Sequence, residues 1–201
     1  MCVADPTGTT CYFQAMAHVG GNIILARRKF VLDRGGEALW ERVLRHLPDD
    51  DARQLRRTLL VTGTWPLALN LRLDEAIARE LYPADPQRAF LEMGRASAEV
   101  NLRGPQRGFL RQGSPHGLLS FAETIYAYYY GEGRRTYQRT GDTSATLTTF
   151  DAPPSTPGDC LTVVGWHQRA IELSGGNNVV VREAKCRSRG GEVCEYQCSW
   201  E

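Results

Sequence analysis

Residues 177–200 read NNVVVREAKCRSRGGEVCEYQCSW, and this stretch decides the fold. Asn178 to Cys186 is a β-branched run, and Val193 to Trp200 is a second with alternating polar residues. Gly190-Gly191 supplies the turn between them, so the C-terminus is a β-hairpin. A matching signal lies upstream in RRTYQRTGDTSATLTTFDA, residues 134–152, rich in Thr and Tyr around a Gly141-Asp142 turn. Between the hairpins, Pro153 to Pro157 make a connector. Residues 159–174, DCLTVVGWHQRAIELS, form an amphipathic helix that Gly175-Gly176 stops.

Everything before residue 134 has helical spacing. Residues 22–47 carry apolar side chains at Ile24, Leu25, Phe30, Leu39, Trp40, Val43, Leu44 and Leu47, with Gly35-Gly36 dividing the run. Asp49 to Asp51 cap a short helix after Pro48. Further helices are expected from Trp65-Pro66 to Leu81, over 86–103, and from Ser114-Pro115 through Phe121, Ile125 and Tyr128 to Gly131. The expected fold is α+β: a helical N-terminal two-thirds packed on a four-stranded antiparallel sheet in the order β-β-α-β-β. Residues 1–20 form a leader without periodicity, in which TTCYFQAMA partly resembles a protease-site linker from an expression vector. Cys2 and Cys11 are therefore set aside. Residues 21–85 form an N-terminal helical part and 86–201 an α+β domain.

Composition narrows the function. The chain has 201 residues, with Lys+Arg 24 against Asp+Glu 23 and a net charge of +1. A nucleic-acid binder shows a basic excess that is missing here. No apolar run approaches the roughly 18 residues a membrane helix needs, and no export signal is legible. The reading is a cytoplasmic protein with no membrane span and no nucleic-acid partner.

The chemistry concentrates at the end of the chain. Cys160, Cys186, Cys194 and Cys198 all lie in the last 42 residues. Clustered thiols in a reducing compartment suit a metal better than a disulfide scaffold. Cys186 and Cys194 are symmetric about Gly190 and can meet across the strand ends, with Cys160 at the root of the preceding helix. Glu183 is a further ligand only if its strand bulges or ends before Cys186, because residues i and i+3 of a regular strand face opposite sides. Cys198 competes for that fourth place.

These residues carry a resemblance. The Gly165-Trp166 pair in the helix, followed by NNVVVREAKCRSRGGEVCEYQCSW, resembles the 4-vinyl-reductase-type domain. That family has a strand ending in Glu-x2-Cys, a seven-residue loop, a second Cys and an aromatic-containing strand. The helical prefix is similar to extensions in stand-alone bacterial proteins, including myxobacterial paralogues. The resemblance implies a structural zinc on Cys160, Glu183, Cys186 and Cys194. It also implies kinship in fold with haem nitric-oxide-binding domains and vesicle-tethering subunits.

A ligand pocket is expected between helices and sheet, walled by Phe121, Tyr126, Tyr129, Tyr137 and Trp166. Haem is not expected: Tyr137-Gln138-Arg139 is not the Tyr-x-Ser-x-Arg clamp that would hold its propionates. His116 reads as a surface or capping residue, and Trp166 as core with His167 facing solvent. Arg111 and Arg139 stand near the intervals where phenol-sensing members carry a His and a Trp. No nucleophile elbow, P-loop or dinucleotide motif is present, so no enzyme is expected. The function expected is a signalling module that binds a small apolar molecule and acts through homodimerisation or a partner protein. The alternatives are a ligand-free structural adaptor resembling vesicle-tethering subunits and a tetrapyrrole-pathway enzyme.

Overall fold

The computed structural model describes residues 17–201, and most of the leader lies outside it. The α+β class holds. The helical part comprises α1 (Gly21–Leu44), α2 (Asp49–Leu55), α3 (Leu67–Leu81), α4 (Pro86–Arg103), α5 (Pro115–Leu119) and α6 (Ala122–Tyr129). Then follow β3 (Arg134–Gly141), β4 (Ser144–Phe150), α7 (Pro157–Leu173), β5 (Val180–Lys185) and β6 (Cys194–Ser199). A short ribbon pairs β1 (His18–Gly20) with β2 (Thr64–Pro66).

The ribbon is a correction. Trp65-Pro66, expected to open a helix, lies in β2, and Pro66 is the last residue before α3. The helix expected over 114–131 is two. Ser114 caps α5 by accepting from the Gly117 amide at 3.1 Å, and the chain breaks at Ser120 and Phe121 before α6. The Gly35-Gly36 division is real. Gly36 has φ +61° and ψ −163°, a conformation that side chains with a Cβ rarely adopt, and it kinks α1.

The main sheet is antiparallel throughout, in the order β3-β4-β6-β5. Its buried face shows the expected two-residue period: Ala145, Leu147 and Thr149 on β4, and Cys194, Tyr196 and Cys198 on β6. Helix α7 lies between this face and the helical layer. Its Val163, Val164 and Ile171 join the sheet-side core, while Trp166 and Ala170 join the helical core. Burial on two sides corrects the reading of His167 as solvent-facing, because that side chain is 2% exposed.

Two contacts fix α7 against its neighbours. A Cβ on Gly94 of α4 would run into the Thr162 carbonyl oxygen, and one on Gly165 of α7 into the Leu91 carbonyl oxygen. The two helices therefore meet backbone to backbone. Deeper in the helical layer, Arg27 of α1 grips Asp74 of α3 with two hydrogen bonds, of 2.7 and 3.1 Å, and reaches the Met93 carbonyl of α4 at 3.3 Å. This buried pair ties three helices together beside α7.

Candidate functional site

Two adjoining sites emerge, a cluster of sulfurs and a cavity. The cluster is built at the root of α7. Thr156 caps that helix by accepting from the Asp159 amide at 3.2 Å, and Pro157 occupies the first turn. Cys160 is thereby held one turn in. Cys186 follows the end of β5, and Cys194 opens β6. The loop between them turns on Gly190, at φ +89°, and is closed by the Gly191 amide donating to the Cys186 carbonyl at 2.9 Å.

Glu183 completes the cluster. The β5–β6 register shifts between Glu183 and Lys185, which is the bulge its participation requires. The ligand atoms of Cys160, Glu183, Cys186 and Cys194 all lie within 4.8 Å of one another, and the Cys160 and Cys186 sulfurs are 3.5 Å apart. Glu183 Oε2 accepts from Arg189 at 3.0 Å, and its buried Oε1 has no hydrogen-bond partner. Cys198 stays out of the group. It sits among Ala145 and Val181, where burial pushes its thiol up to about 12. Within the cluster, the contact with Cys160 draws the Cys194 thiol down, and the same contact pushes Cys160 up. Three thiols and a carboxylate are donors suited to a thiophilic cation.

The cavity lies in the seam between the helical layer and α7. It measures about 40 Å³ and is lined by Ile23, Gly94, Ile125, Tyr129, Val163 and Trp166, among others. A second cavity of about 30 Å³ adjoins it and reaches Cys160 and Cys194; Tyr126, Tyr130, Arg135 and Val163 line both. Trp166 Nε1 donates to the Tyr129 hydroxyl at 2.9 Å, and that hydroxyl donates to Gln106 at 3.2 Å. Tyr126 and Tyr130 stack with centroids 5.0 Å apart. Burial raises the phenols of Tyr126, to about 12, and of Tyr129. It also raises the Asp159 carboxyl to about 7, with Asp74 adding to the effect, and Tyr130 meets that carboxyl at 3.3 Å.

Of the five pocket residues expected, Tyr126, Tyr129 and Trp166 line the seam. Phe121 and Tyr137 do not. Phe121 packs on Phe109 with Arg111 over its ring, and Tyr137 bonds His116 Nδ1 at 2.8 Å. Tyr130, a member of the same aromatic group in the sequence, lines both cavities too. Arg135, Asp159 and Arg27 were missed, since in sequence they read as one basic residue of a hairpin, a helix start and one Arg of a pair.

No family model matches the chain, and no curated protein does. Solved structures share its fold. An H-NOX protein from S. oneidensis in the Fe(II)NO ligation state superposes with a TM-score of 0.69 at 14% identity, covering 90% of this chain and 99% of its own. An oxygen-binding H-NOX domain related to soluble guanylate cyclases gives 0.66 at 11%, covering 90% and 95%. Fe(II) unliganded H-NOX from K. algicida gives 0.64 at 10%, covering 90% and 96%. These findings overturn the resemblance to the 4-vinyl-reductase-type domain, because the similar structures are described as H-NOX. They equally overturn structural zinc as the expected cofactor, because the neighbours are described with Fe(II) and haem.

Haem, which the fold implies, does not fit the residues present. His116 has both nitrogens engaged, by Tyr137 and by the Asp142 carbonyl at 2.8 Å. His46 pairs with Glu80 at the surface, and His18 is exposed. His167 points at the sheet, beside Tyr196 and Arg135. The seam holds roughly three waters' worth of space at 10–15 Å³ each, far too little for a macrocycle. What the likeness establishes for this chain is the fold.

Proposed function

We propose that this chain is a small-molecule sensor domain of the H-NOX fold that operates without haem and takes its ligand into the seam. One observation carries this reading: the adjoining cavities are lined by aromatic side chains, with hydroxyl, carboxyl and guanidinium groups converging on them. The H-NOX neighbours support it, since those described by function bind a gas. The expectation of a module without enzymatic activity belongs to this reading. So does output through a partner or a second copy.

Native mass spectrometry of freshly purified protein tests the proposal, with haemin titration beside it. The expected result is a small-molecule adduct that is lost on denaturation, and no ligated Soret band with haemin. A bare polypeptide mass, or a stoichiometric haemin complex, would overturn it.

The four-ligand cluster favours a second assignment. We propose that Cys160, Glu183, Cys186 and Cys194 hold one thiophilic cation, whose element metal analysis would name. The unpartnered Glu183 Oε1 and the short sulfur separation support it.

A further inference from the structure

Two arginines flank the seam, and they differ in one respect. Arg27 is 3% exposed and its charge is met by the two oxygens of Asp74. Arg135 is 8% exposed, and among the described residues no carboxylate lies within ion-pair distance of it. Arginine is seldom buried without a counter-charge, because the desolvated guanidinium then lacks compensation.

Arg135 stands opposite Thr149 in the β3–β4 ladder and donates from Nε to Thr149 Oγ1 at 2.9 Å. Its Nη1 is 3.4 Å from His167 Nε2. A guanidinium has five N–H donors. Those two contacts leave three without an acceptor among the described residues. The group lies 4.9 Å from the Tyr126 ring centroid and 5.6 Å from that of Tyr196, over two aromatic faces. It also lines both cavities. Asp159 lies on the same cavity wall, hydrogen-bonded by Tyr130, and does not reach the guanidinium.

We propose that Arg135 is the receptor for the carboxylate of a small organic acid bound in the seam. This rests on the reading of the seam as a ligand site and names its chemical class. A planar fork with free donors matches a planar carboxylate in a two-point pairing. The apolar wall of Ile23, Ile125, Val163 and Trp166 suits an aliphatic tail of one or two carbons. The small cavity favours a compact monocarboxylate over a phosphate ester. Arg135 acts as a preset charge, largely withdrawn from solvent before the ligand arrives.

The test is calorimetric titration, in carboxylate-free buffer, of wild-type protein with formate, acetate and propionate, each beside its primary amide. At least one acid is expected to bind saturably, about tenfold or more tighter than its amide, as loss of a charged hydrogen-bond pair predicts. Arg135→Gln should abolish that preference, and Arg135→Lys should keep part of it. The acid–amide comparison on wild type needs no variant to fold. Equal binding of acid and amide would sink the carboxylate assignment and leave the seam as a ligand site. Failure of every acid, with an adduct still present in native mass spectra, would do the same. No binding and no adduct would remove both. Should wild type ignore the acids while Arg135→Gln releases metal, Arg135 is a counter-charge for the thiol cluster and the proposal falls.

Discussion

Arg135 Nη1 faces His167 Nε2 at 3.4 Å, in a cage closed by Tyr196 and Trp166. Burial holds the imidazole pKa well below its usual 6.5, and the adjacent guanidinium depresses it further. His167 is therefore neutral when folded. The unfolded chain takes up a proton near pH 6.5, so stability is whole above that value and drains as pH falls below it. Arg135 from β3 is the charged group facing the ring, and Tyr196 from β6 is the other titratable one. His167 by itself contributes a slope approaching about 1.4 kcal/mol per pH unit, and Asp159, whose carboxyl burial raises to about 7, opposes it over the same range because the fold takes up that proton first. His167→Gln should therefore lose less stability than wild type between pH 7 and pH 5, as denaturant midpoints of the two proteins compared at both values would reveal.

The Arg27–Asp74 pair joins α1, α3 and, through the Met93 carbonyl, α4. Asp74→Ala strands a guanidinium in the core. A loss of about 3–5 kcal/mol is expected from breaking one side of a buried pair. Urea unfolding of the single variants and of the double replacement by apolar residues measures it, and the double change should cost less.

Cys186→Ser removes one of four clustered ligands. The purified variant should carry much less metal than wild type and melt at a lower temperature, since metal held by the fold contributes folding energy. Elemental analysis beside a melting curve checks both; equal, negligible metal in both proteins would refute the cation site.

Gly165→Ala sets two effects against each other. Helix propensity alone favours Ala by about 1 kcal/mol. The added methyl, however, meets the Leu91 carbonyl oxygen, and overpacking costs about 1–3 kcal/mol or more where backbone must shift. Net destabilisation is expected, with Gly94→Ala behaving alike against Thr162. A rise in melting temperature would contradict the close contact.

The two hairpins and the thiol cluster were legible because their signals are local. Period-two alternation around Gly141-Asp142 and Gly190-Gly191 marks strands and turns whatever surrounds them. Glu183 could be read as a ligand only conditionally, since the bulge after it is set by the pairing with β6. His167 was misread because α7 is buried on two faces, which a one-sided helical pattern cannot express. Arg135 gave no signal at all. Its isolation from carboxylates is a property of the packed seam, where β3, β6, α6 and α7 converge. The β1–β2 ribbon was hidden because Trp65-Pro66 equally suits a helix entry.

Gly94 also lines the seam cavity, so part of that chamber's wall is bare main chain. Side-chain exchange at Ile23, Ile125 or Tyr129 can re-cut the other walls to a new guest. The floor cannot be tailored this way, because nothing larger than hydrogen fits there. Any guest too thick for it meets the backbone contact between α4 and α7 rather than a side chain that can turn aside.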